Sequence, residues 1–462
     1  MTTYKTIPGI ILLASTLAAA DTPQTRAWSL VTQALANGGA QATAARLMLG
    51  TIDDTASRAL IVSILGGKDA WAITDTLAGL NGQQCLSYLP DLTRAAQEPK
   101  IEYKGGILSA IARAGTTAAA QVIAGIADNN ESATAGMAFG ALEGMGAIAE
   151  PALTGVVTNG RSAWARETAA YILRRMKDPS TVTAFRSALR DPDEKVRIAG
   201  ALGLAQFGVA EGKRQLEAAA SVTGNDDQVE EALVALATLG SSEAIERLKA
   251  LVTSSDTAVR VHTVWAIARS QNASLKNFAY RLGLERQPIL NTLIADELFD
   301  PNDPRDRSAL HKMAEGSDEM AQLAAARVLL RAGSSSEAEL IVGRALSSQD
   351  GPSRQQAITI AAAHAELRTE LARHLSSPDP LVQAAALSAI AELGDRGRFA
   401  EVATYLESGD RGVSEAAAKA LAALDPAAAK PVLEQGLDSQ TSHARVHSAA
   451  MLLAIAARGQ VK

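Results

Sequence analysis

The chain has 462 residues, with 44 basic and 50 acidic side chains that give a net charge of −6. Proteins that bind phosphate backbones usually carry a basic stripe, so this balance argues against a nucleic-acid partner. A single cysteine, Cys85, excludes an internal disulfide and a zinc site built on cysteine pairs. Only 3% of the residues are aromatic, so burial must come from Ala, Leu, Ile and Val, which suit closely packed helices.

The first twenty residues differ from the rest of the chain. Lys5 precedes an apolar stretch from Ile7 to Ala20, which Asp21 follows directly. With Ala18 and Ala20 as small residues before the cleavage point, this order is typical of a secretory signal peptide. The sequence therefore predicts an exported protein, periplasmic or secreted, and the alternative is a cytoplasmic protein whose first helix is this stretch. The stretch is shorter than the roughly 20 residues of a spanning helix, so no stable membrane span is expected.

Residues 21–100 contain helical segments, such as TASRALIVSILGG and DAWAITDTLAGL, at irregular spacing. Repeat boundaries cannot be assigned within them. We therefore predict a diverged helical N-terminal cap over residues 21–100 and a repeat solenoid over residues 101–462.

A repeat organises the rest of the chain. Glycines close similar Ala- and Leu-rich segments at intervals of one, two or three steps of roughly 31 residues. They are Gly115, Gly146, Gly208, Gly240, Gly333 and Gly394. Such self-similarity is typical of stacked repeats, each too small to bury its own apolar face, and about twelve of them fit in this region.

Each repeat is predicted to contain two helices. In the clearest one, residues 179–189 have apolar side chains at helical spacing, a break follows at residues 190–193, and residues 194–207 resume the pattern. The same plan recurs in residues 242–270 and 367–394. An Asp in the turn is expected to cap the second helix and a Gly to end it. The predicted fold class is all-α, a right-handed solenoid of two-helix repeats.

The turn and second helix resemble the HEAT-repeat family, in the short bacterial form also found in phycobilin lyases and deoxyhypusine hydroxylase. The signature D-x-x-V-R-x-x-A of that family stands here as Asp193 to Gly200 and as Asp256 to Thr263, with the final Ala replaced in both. Arginines in phase with the glycines extend the resemblance from about residue 101 to 456. They are Arg166, Arg197, Arg260, Arg354 and Arg445. The resemblance implies that these ladder arginines pair with turn aspartates, and the alternative is an anion-binding stripe.

Signatures of catalysis do not occur in the sequence. Deoxyhypusine hydroxylase binds two irons through His-Glu pairs, and this chain has no His-Glu dipeptide. His443 and His447 lie four residues apart on one predicted helix, which suits two ligands of one metal, but no third ligand stands nearby in sequence. Gly-x-Ser-x-Gly and phosphate-binding glycine motifs are also absent from the sequence. No catalytic, metal or cofactor site is predicted.

One segment departs from the repeat pattern. Residues 297–307, ELFDPNDPRDR, contain two prolines and four acidic residues. We expect an extended turn there, which is either a solvated insertion or a contact site.

The second helix of each HEAT repeat usually lines the concave face of the solenoid. Residues two, five and nine positions after a ladder arginine should therefore face a partner. For Arg260 these are His262, Trp265 and Arg269. Interface hot spots favour Trp and Arg, so we predict these three as partner-binding residues, and the alternative is that Trp265 packs between repeats.

These observations predict a non-catalytic scaffold or adaptor that binds a protein partner on its concave face. The alternative is a lyase-like or oxidoreductase-like enzyme of the phycobilin lyase branch, and a third reading is a structural envelope protein. A pocket with converging polar groups would favour the enzyme, whereas a broad shallow groove would favour the adaptor.

Overall fold

The computed structural model describes residues 22–101, 104–128, 133–221, 227–254, 256–269, 295, 299–333 and 336–459. Within these ranges the chain forms α-helices and short 3-10 turns, and no strand occurs among them. The all-α prediction is therefore confirmed. None of the described helices combines the length and the apolar character that crossing a bilayer requires. The predicted signal peptide lies outside the described residues.

The chain divides into two compact units. Unit 1 comprises residues 1–114 and 342–462, and unit 2 comprises residues 115–341. The N-terminal part of unit 1 contains α1 (Pro23–Asn37), α2 (Gly39–Ile52), α3 (Thr55–Leu65), α4 (Ala70–Ala78), α5 (Gly82–Ser87), α6 (Leu89–Gln97) and α7 (Gly105–Arg113).

Unit 2 holds the next helices in chain order. They are α8 (Thr117–Ala127), α9 (Ala133–Gly144), α10 (Glu150–Asn159), α11 (Ala163–Met176), α12 (Val182–Ala188), α13 (Glu194–Gln206), α14 (Lys213–Ala220), α15 (Asp227–Thr238), α16 (Ser242–Val252), α17 (Thr257–Arg269), α18 (Pro304–Ala314) and α19 (Glu319–Arg331). The boundary between the units falls within α20 (Ser336–Ala345).

The C-terminal part of unit 1 completes the fold. Its helices are α21 (Gly351–Ala363), α22 (Arg368–Arg373), α23 (Pro380–Leu393), α24 (Phe399–Thr404), α25 (Arg411–Leu424), α26 (Pro426–Gly436) and α27 (Ser442–Gly459).

The predicted signals at the helix ends are confirmed. Asp193 accepts hydrogen bonds from the backbone N–H groups of Lys195 and Val196 at 2.9 and 3.4 Å, and so caps α13. Asp379 caps α23 in the same way, accepting from the N–H of Leu381 at 2.9 Å. The six repeat glycines all have φ between +57° and +122°, the left-handed region that ends a helix. Two-helix repeats therefore follow one another as the sequence predicts.

The ladder arginines stabilise the turns. Arg166 holds Asp191 through two hydrogen bonds of 2.6 and 2.9 Å, and the side chain of Arg354 donates to Asp379 at 2.7 Å. All five ladder arginines also donate to the backbone carbonyl six residues earlier, at 2.6 to 2.9 Å. Burial alone would raise the pKa of Asp191, but hydrogen bonds from Arg166 and from the backbone outweigh it, so that pKa is lowered. The pairing with turn aspartates that the resemblance implies is thus found for Arg166 and Arg354, and all five arginines bond to a turn carbonyl.

The first and last described helices meet inside unit 1. The second helices α21, α23, α25 and α27 stack in that order, and α2, α4 and α7 continue the stack beyond α27. Helix α1 also packs on α27, and Arg26 donates to Asp438 at 2.6 Å. Every residue of α27 from Val446 to Ile455 is buried as a result. The N-terminal helix pair thus occupies the place of the next repeat after the last one.

The described part of the acidic segment at residues 297–307 includes the start of a helix. Helix α18 begins at Pro304, because proline suits the first turn of a helix, where its missing N–H costs nothing. Arg307, already in that helix, donates to the carbonyl of Pro301 at 3.1 and 3.0 Å. Residues 299–303 form the described part of the turn, and Glu297 lies outside the described residues.

Candidate functional site

A pocket of about 380 Å³ opens on the second-helix face of unit 2. We call it the α9–α11 pocket. Three second helices line it: α9 provides Gly136, Phe139, Gly140 and Glu143, α11 provides Thr168, Tyr171, Ile172, Arg174 and Arg175, and α15 provides Glu231.

The pocket exists because one face of α9 carries almost no side chains. Gly136, Gly140 and Gly144 recur every four residues, which places them on one side of the helix, where they are exposed. A Cβ atom added at any of the three would meet no atom within 4 Å. The backbone of α9 is therefore open to whatever enters the pocket.

Aromatic rings form the apolar wall. Phe139, which is buried, contacts Trp164 edge to face, with ring centroids 5.4 Å apart and planes at 77°. Such pairs are favourable beyond the area that they bury, so the contact with Trp164 helps to hold the Phe139 ring in place. The Ile172 side chain, also buried, extends the same apolar lining.

Tyr171 and Arg174 form a fixed second wall. The Arg174 guanidinium lies 5.2 Å from the centre of the Tyr171 ring and donates to Glu231 at 2.9 Å. Since α13 lies between α11 and α15 in the stack, this ion pair bridges over one whole helix. Burial and the charge of Glu231 raise the pKa of Tyr171 to about 12. The phenol is therefore protonated at neutral pH.

A second ion pair crosses the pocket. Arg175 in the last turn of α11 contacts Glu143 in the last turn of α9. Their side chains are 41% and 42% exposed, whereas those of Arg174 and Glu231 are only 16% and 24% exposed. The four charged side chains that line the pocket thus pair with one another.

The predicted partner-binding residues lie elsewhere in unit 2. His262 and Trp265 are on α17 and exposed, Trp265 to 47%, and they do not belong to the pocket lining. The side chain of Arg269, the last residue of α17, lies outside the described residues. Their role stays a prediction.

The same three positions, counted from a different ladder arginine, do line the pocket. Residues two, five and nine positions after Arg166 are Thr168, Tyr171 and Arg175, and all three line it. The sequence signal that could have selected this repeat is the glycine pattern of α9 beside the Tyr and Arg residues of α11.

The two histidines that lie four residues apart, His443 and His447, both contact neighbouring groups in unit 1. The rings of His443 and His447 are 5.9 Å apart, and His443 contacts the carbonyl of Ser408 at 3.0 Å. Ser414 donates to the carbonyl of Leu406 at 2.9 Å, so its oxygen accepts from Nδ1–H of His447 at 3.1 Å. Among the described residues, no group of three or more possible metal ligands occurs.

The environment of His447 keeps its ring neutral. The side chain is fully buried, and Nε2 has no hydrogen-bond partner among the described residues. Burial, together with electrostatic repulsion from His443, Lys419 and Arg411, lowers the pKa of His447 to about 3.

Comparisons with known proteins agree with the repeat pattern. The family model of HEAT repeats matches residues 150–237, which include α11, and residues 368–454 in unit 1. Human deoxyhypusine hydroxylase in complex with glycerol is 19% identical over 61% of this chain and 96% of that one, with a TM-score of 0.24. UNC-45 from Drosophila melanogaster is 12% identical over 98% of this chain and 94% of that one, with a TM-score of 0.30. Among proteins with curated descriptions, none matches this chain.

Proposed function

Because the chain is a HEAT-repeat protein with matched repeats in both compact units, we propose that it is a non-catalytic scaffold that binds a protein partner in the α9–α11 pocket. The observation that carries the proposal is the pairing of the charged groups that line the pocket, Arg174 with Glu231 and Arg175 with Glu143. Groups that are paired with each other leave aromatic and backbone surface for contact. That surface supports recognition rather than acid–base chemistry.

The lining also defines the occupant. Two arginines and two glutamates cancel, so the pocket suits a partner segment of low net charge. The glycine face of α9 lets such a segment approach the helix backbone, while Tyr171 and Arg174 are residue types that dominate binding energy at interfaces. We propose a peptide segment that presents an apolar side chain to the wall formed by Phe139 and Tyr171.

The scaffold proposal is tested with a variant whose larger side chain fills the pocket. Tagged protein is used to capture partners from the host's envelope and soluble fractions, in the parent form and as Gly140→Leu, with quantitative mass spectrometry. The matched control is Gly125→Leu on α8, because Gly125 is also exposed on a helix with nothing within 4 Å of an added Cβ.

A stoichiometric protein partner retained by the parent and by Gly125→Leu but lost with Gly140→Leu is the expected result. A partner that Gly140→Leu retains equally well would move the binding site away from the pocket. Recovery of no protein partner by any form would contradict the scaffold proposal.

The second candidate is an enzyme of the lyase-like or oxidoreductase-like kind. The pocket volume of about 380 Å³ favours it, since it lies in the range of small-ligand sites. Purified parent protein that carries a chromophore or another small molecule, detected by native mass spectrometry and lost with Gly140→Leu, would support this candidate over the scaffold.

We also propose that the protein is exported, to the periplasm or beyond the cell. The support is the apolar stretch before Ala20 and the position of α1, whose cap Thr22 accepts from the N–H of Thr25 at 3.2 Å. Cleavage after Ala20 would leave α1 with its cap intact. N-terminal sequencing of the captured protein tests this, with Asp21 expected as the first residue and Met1 as the contradicting result.

A further inference from the structure

The Glu143–Arg175 pair links two neighbouring second helices across a cavity. Other neighbouring second helices in unit 2, such as α11 and α13, pack closely along their length. Between α9 and α11 the α9–α11 pocket takes the place of that packing. Phe139 and Trp164 join the two helices near the start of α11, whereas few side chains resist a change in the spacing of their C-terminal ends.

The two ion pairs of the pocket differ in how firmly they hold. Arg174 and Glu231 are largely buried, and Arg174 is further fixed by the Tyr171 ring. Arg175 and Glu143 are both about two-fifths exposed. Exposed ion pairs contribute little to stability and are screened by salt, so the Glu143–Arg175 pair opens far more readily than the other.

The helix dipoles act differently on Arg175 and Glu143, so the pair can exist in a closed and a separated state. Arg175 lies at the C-terminal end of α11, where the partial negative charge of the helix end stabilises a cation without any help from Glu143. Glu143 lies at the C-terminal end of α9, where the same partial charge repels it unless Arg175 is near. Separation of the pair thus leaves Arg175 stabilised and drives Glu143 outward toward solvent.

We infer that the Glu143–Arg175 pair is a gate of the α9–α11 pocket: it holds the C-terminal ends of α9 and α11 together in the free protein and opens to admit the occupant. The occupant rests on the proposed function, whereas the gate itself is a property of the free protein. Affinity for the occupant is reduced by the fraction of time that the gate is closed.

The gate is tested first without any partner. Nitroxide labels on Gly144→Cys and Lys177→Cys flank the pair, both positions are exposed, and the native Cys85 is fully buried and hence protected from labelling. Spin–spin distances are measured in the labelled protein and after adding Glu143→Gln. The matched control is Glu211→Gln, which removes the Arg186–Glu211 pair of 2.9 Å, whose side chains are 42% and 47% exposed, away from the pocket.

Glu143→Gln and molar NaCl are each expected to lengthen the mean distance and broaden its distribution, while Glu211→Gln leaves both unchanged. Identical distributions with and without Glu143→Gln would overturn the gate.

Binding gives the second readout, once a partner has been captured. Glu143→Gln is expected to bind it more tightly, by up to about fivefold, because the cost of opening is removed. An unchanged affinity would overturn the gate while leaving the scaffold proposal in place. If no partner is captured, the scaffold proposal fails and the distance measurement alone decides the gate.

Discussion

Helix α27 in unit 1 and helix α9 in unit 2 are both second helices of repeats, yet their surroundings are opposite. Helix α27 is buried along ten consecutive residues, because α1 and α2 cover the face that a terminal repeat would otherwise expose. Helix α9 leaves a glycine face open to the α9–α11 pocket. The repeat pattern specifies a helix at each place, and the helix's own side chains, together with what packs against them, decide whether its face becomes core or stays open.

Glycines show the same contrast at the atomic level. A Cβ added to Gly436 on α26 would lie 2.1 Å from the Ser448 hydroxyl oxygen of α27, so that glycine lets two helices touch. A Cβ added to Gly140 would meet nothing within 4 Å. One glycine allows packing and the other leaves space.

The largest expected effect on the free energy of unfolding comes from a buried residue of α1 in unit 1. Trp28 on α1 is only 7% exposed, and its replacement by Ala removes a large buried ring from unit 1. We expect Trp28→Ala to lower the free energy of unfolding by about 3–5 kcal/mol, measured by urea denaturation. Trp71→Ala is the control, because Trp71 is 77% exposed, and should cost no more than about 0.5 kcal/mol. Equal effects would mean that α1 contributes little to unit 1.

The next effect concerns the helix that forms the pocket wall. Arg166 near the start of α11 binds Asp191 with two hydrogen bonds, a geometry that lysine cannot reproduce. We expect Arg166→Lys to lower the free energy of unfolding by about 1.5–3 kcal/mol. Arg186→Lys, at an exposed pair with Glu211, should cost less than about 1 kcal/mol. The ladder would be of little energetic consequence if chemical denaturation gave the two variants the same midpoint.

The stability of unit 1 is expected to depend on pH through His447, which is buried in α27. The folded-state pKa of His447, about 3, lies below the ordinary value of 6.5. Protons therefore bind the unfolded chain first as the pH falls, so the stability from neutral His447 is complete above pH 6.5 and is lost toward pH 3. The expected loss is about 1.4 kcal/mol per pH unit within that window.

The variant His447→Asn isolates this effect. Its unfolding free energy should fall less steeply between pH 6.5 and 4 than that of the parent, while any packing defect appears equally at pH 8. Parallel pH profiles of the two proteins would show that His447 is not the group responsible.

The smallest expected effect on the free energy of unfolding tests whether the glycine face of α9 is open. Gly140→Ala should raise the free energy of unfolding by about 0.5–1 kcal/mol, because Ala is the better helix former and the added methyl group meets no atom. Gly203→Ala should instead destabilise the protein by about 1–3 kcal/mol, since its Cβ would lie 2.4 Å from the Phe185 ring. Thermal unfolding measures both changes, and a loss of stability in Gly140→Ala would contradict an open α9 face.

Local signals were sufficient for the repeat itself. Asp193 caps α13 and Gly208 ends its repeat because capping and left-handed backbone depend on residues within one turn. The resemblance implied that Arg166 pairs with a turn aspartate, and the structure identifies that residue as Asp191.

For the site, the same reasoning identified the positions within a repeat that line the pocket, but it selected a different repeat. The register that selects positions two, five and nine after a ladder arginine is the right one for Thr168, Tyr171 and Arg175. The choice of the repeat of Arg260 rested on a tryptophan, whereas the pocket depends on what a neighbouring helix lacks. The glycines of α9 create a cavity only when α9 lies beside α11. The sequence does not show that arrangement.

From about residue 101 onward, the sequence and its family resemblance indicated the two-helix repeats, the signals at their ends, the ladder and the repeat length, since each depends on contacts within about one repeat. Only the tertiary structure decided which second-helix face stays open and that α1 packs against α27, with Arg26 paired to Asp438, 412 residues away in sequence. The physical reason is that such distant contacts leave no local periodicity. They depend on how well apolar surfaces fit once the helices have been brought together.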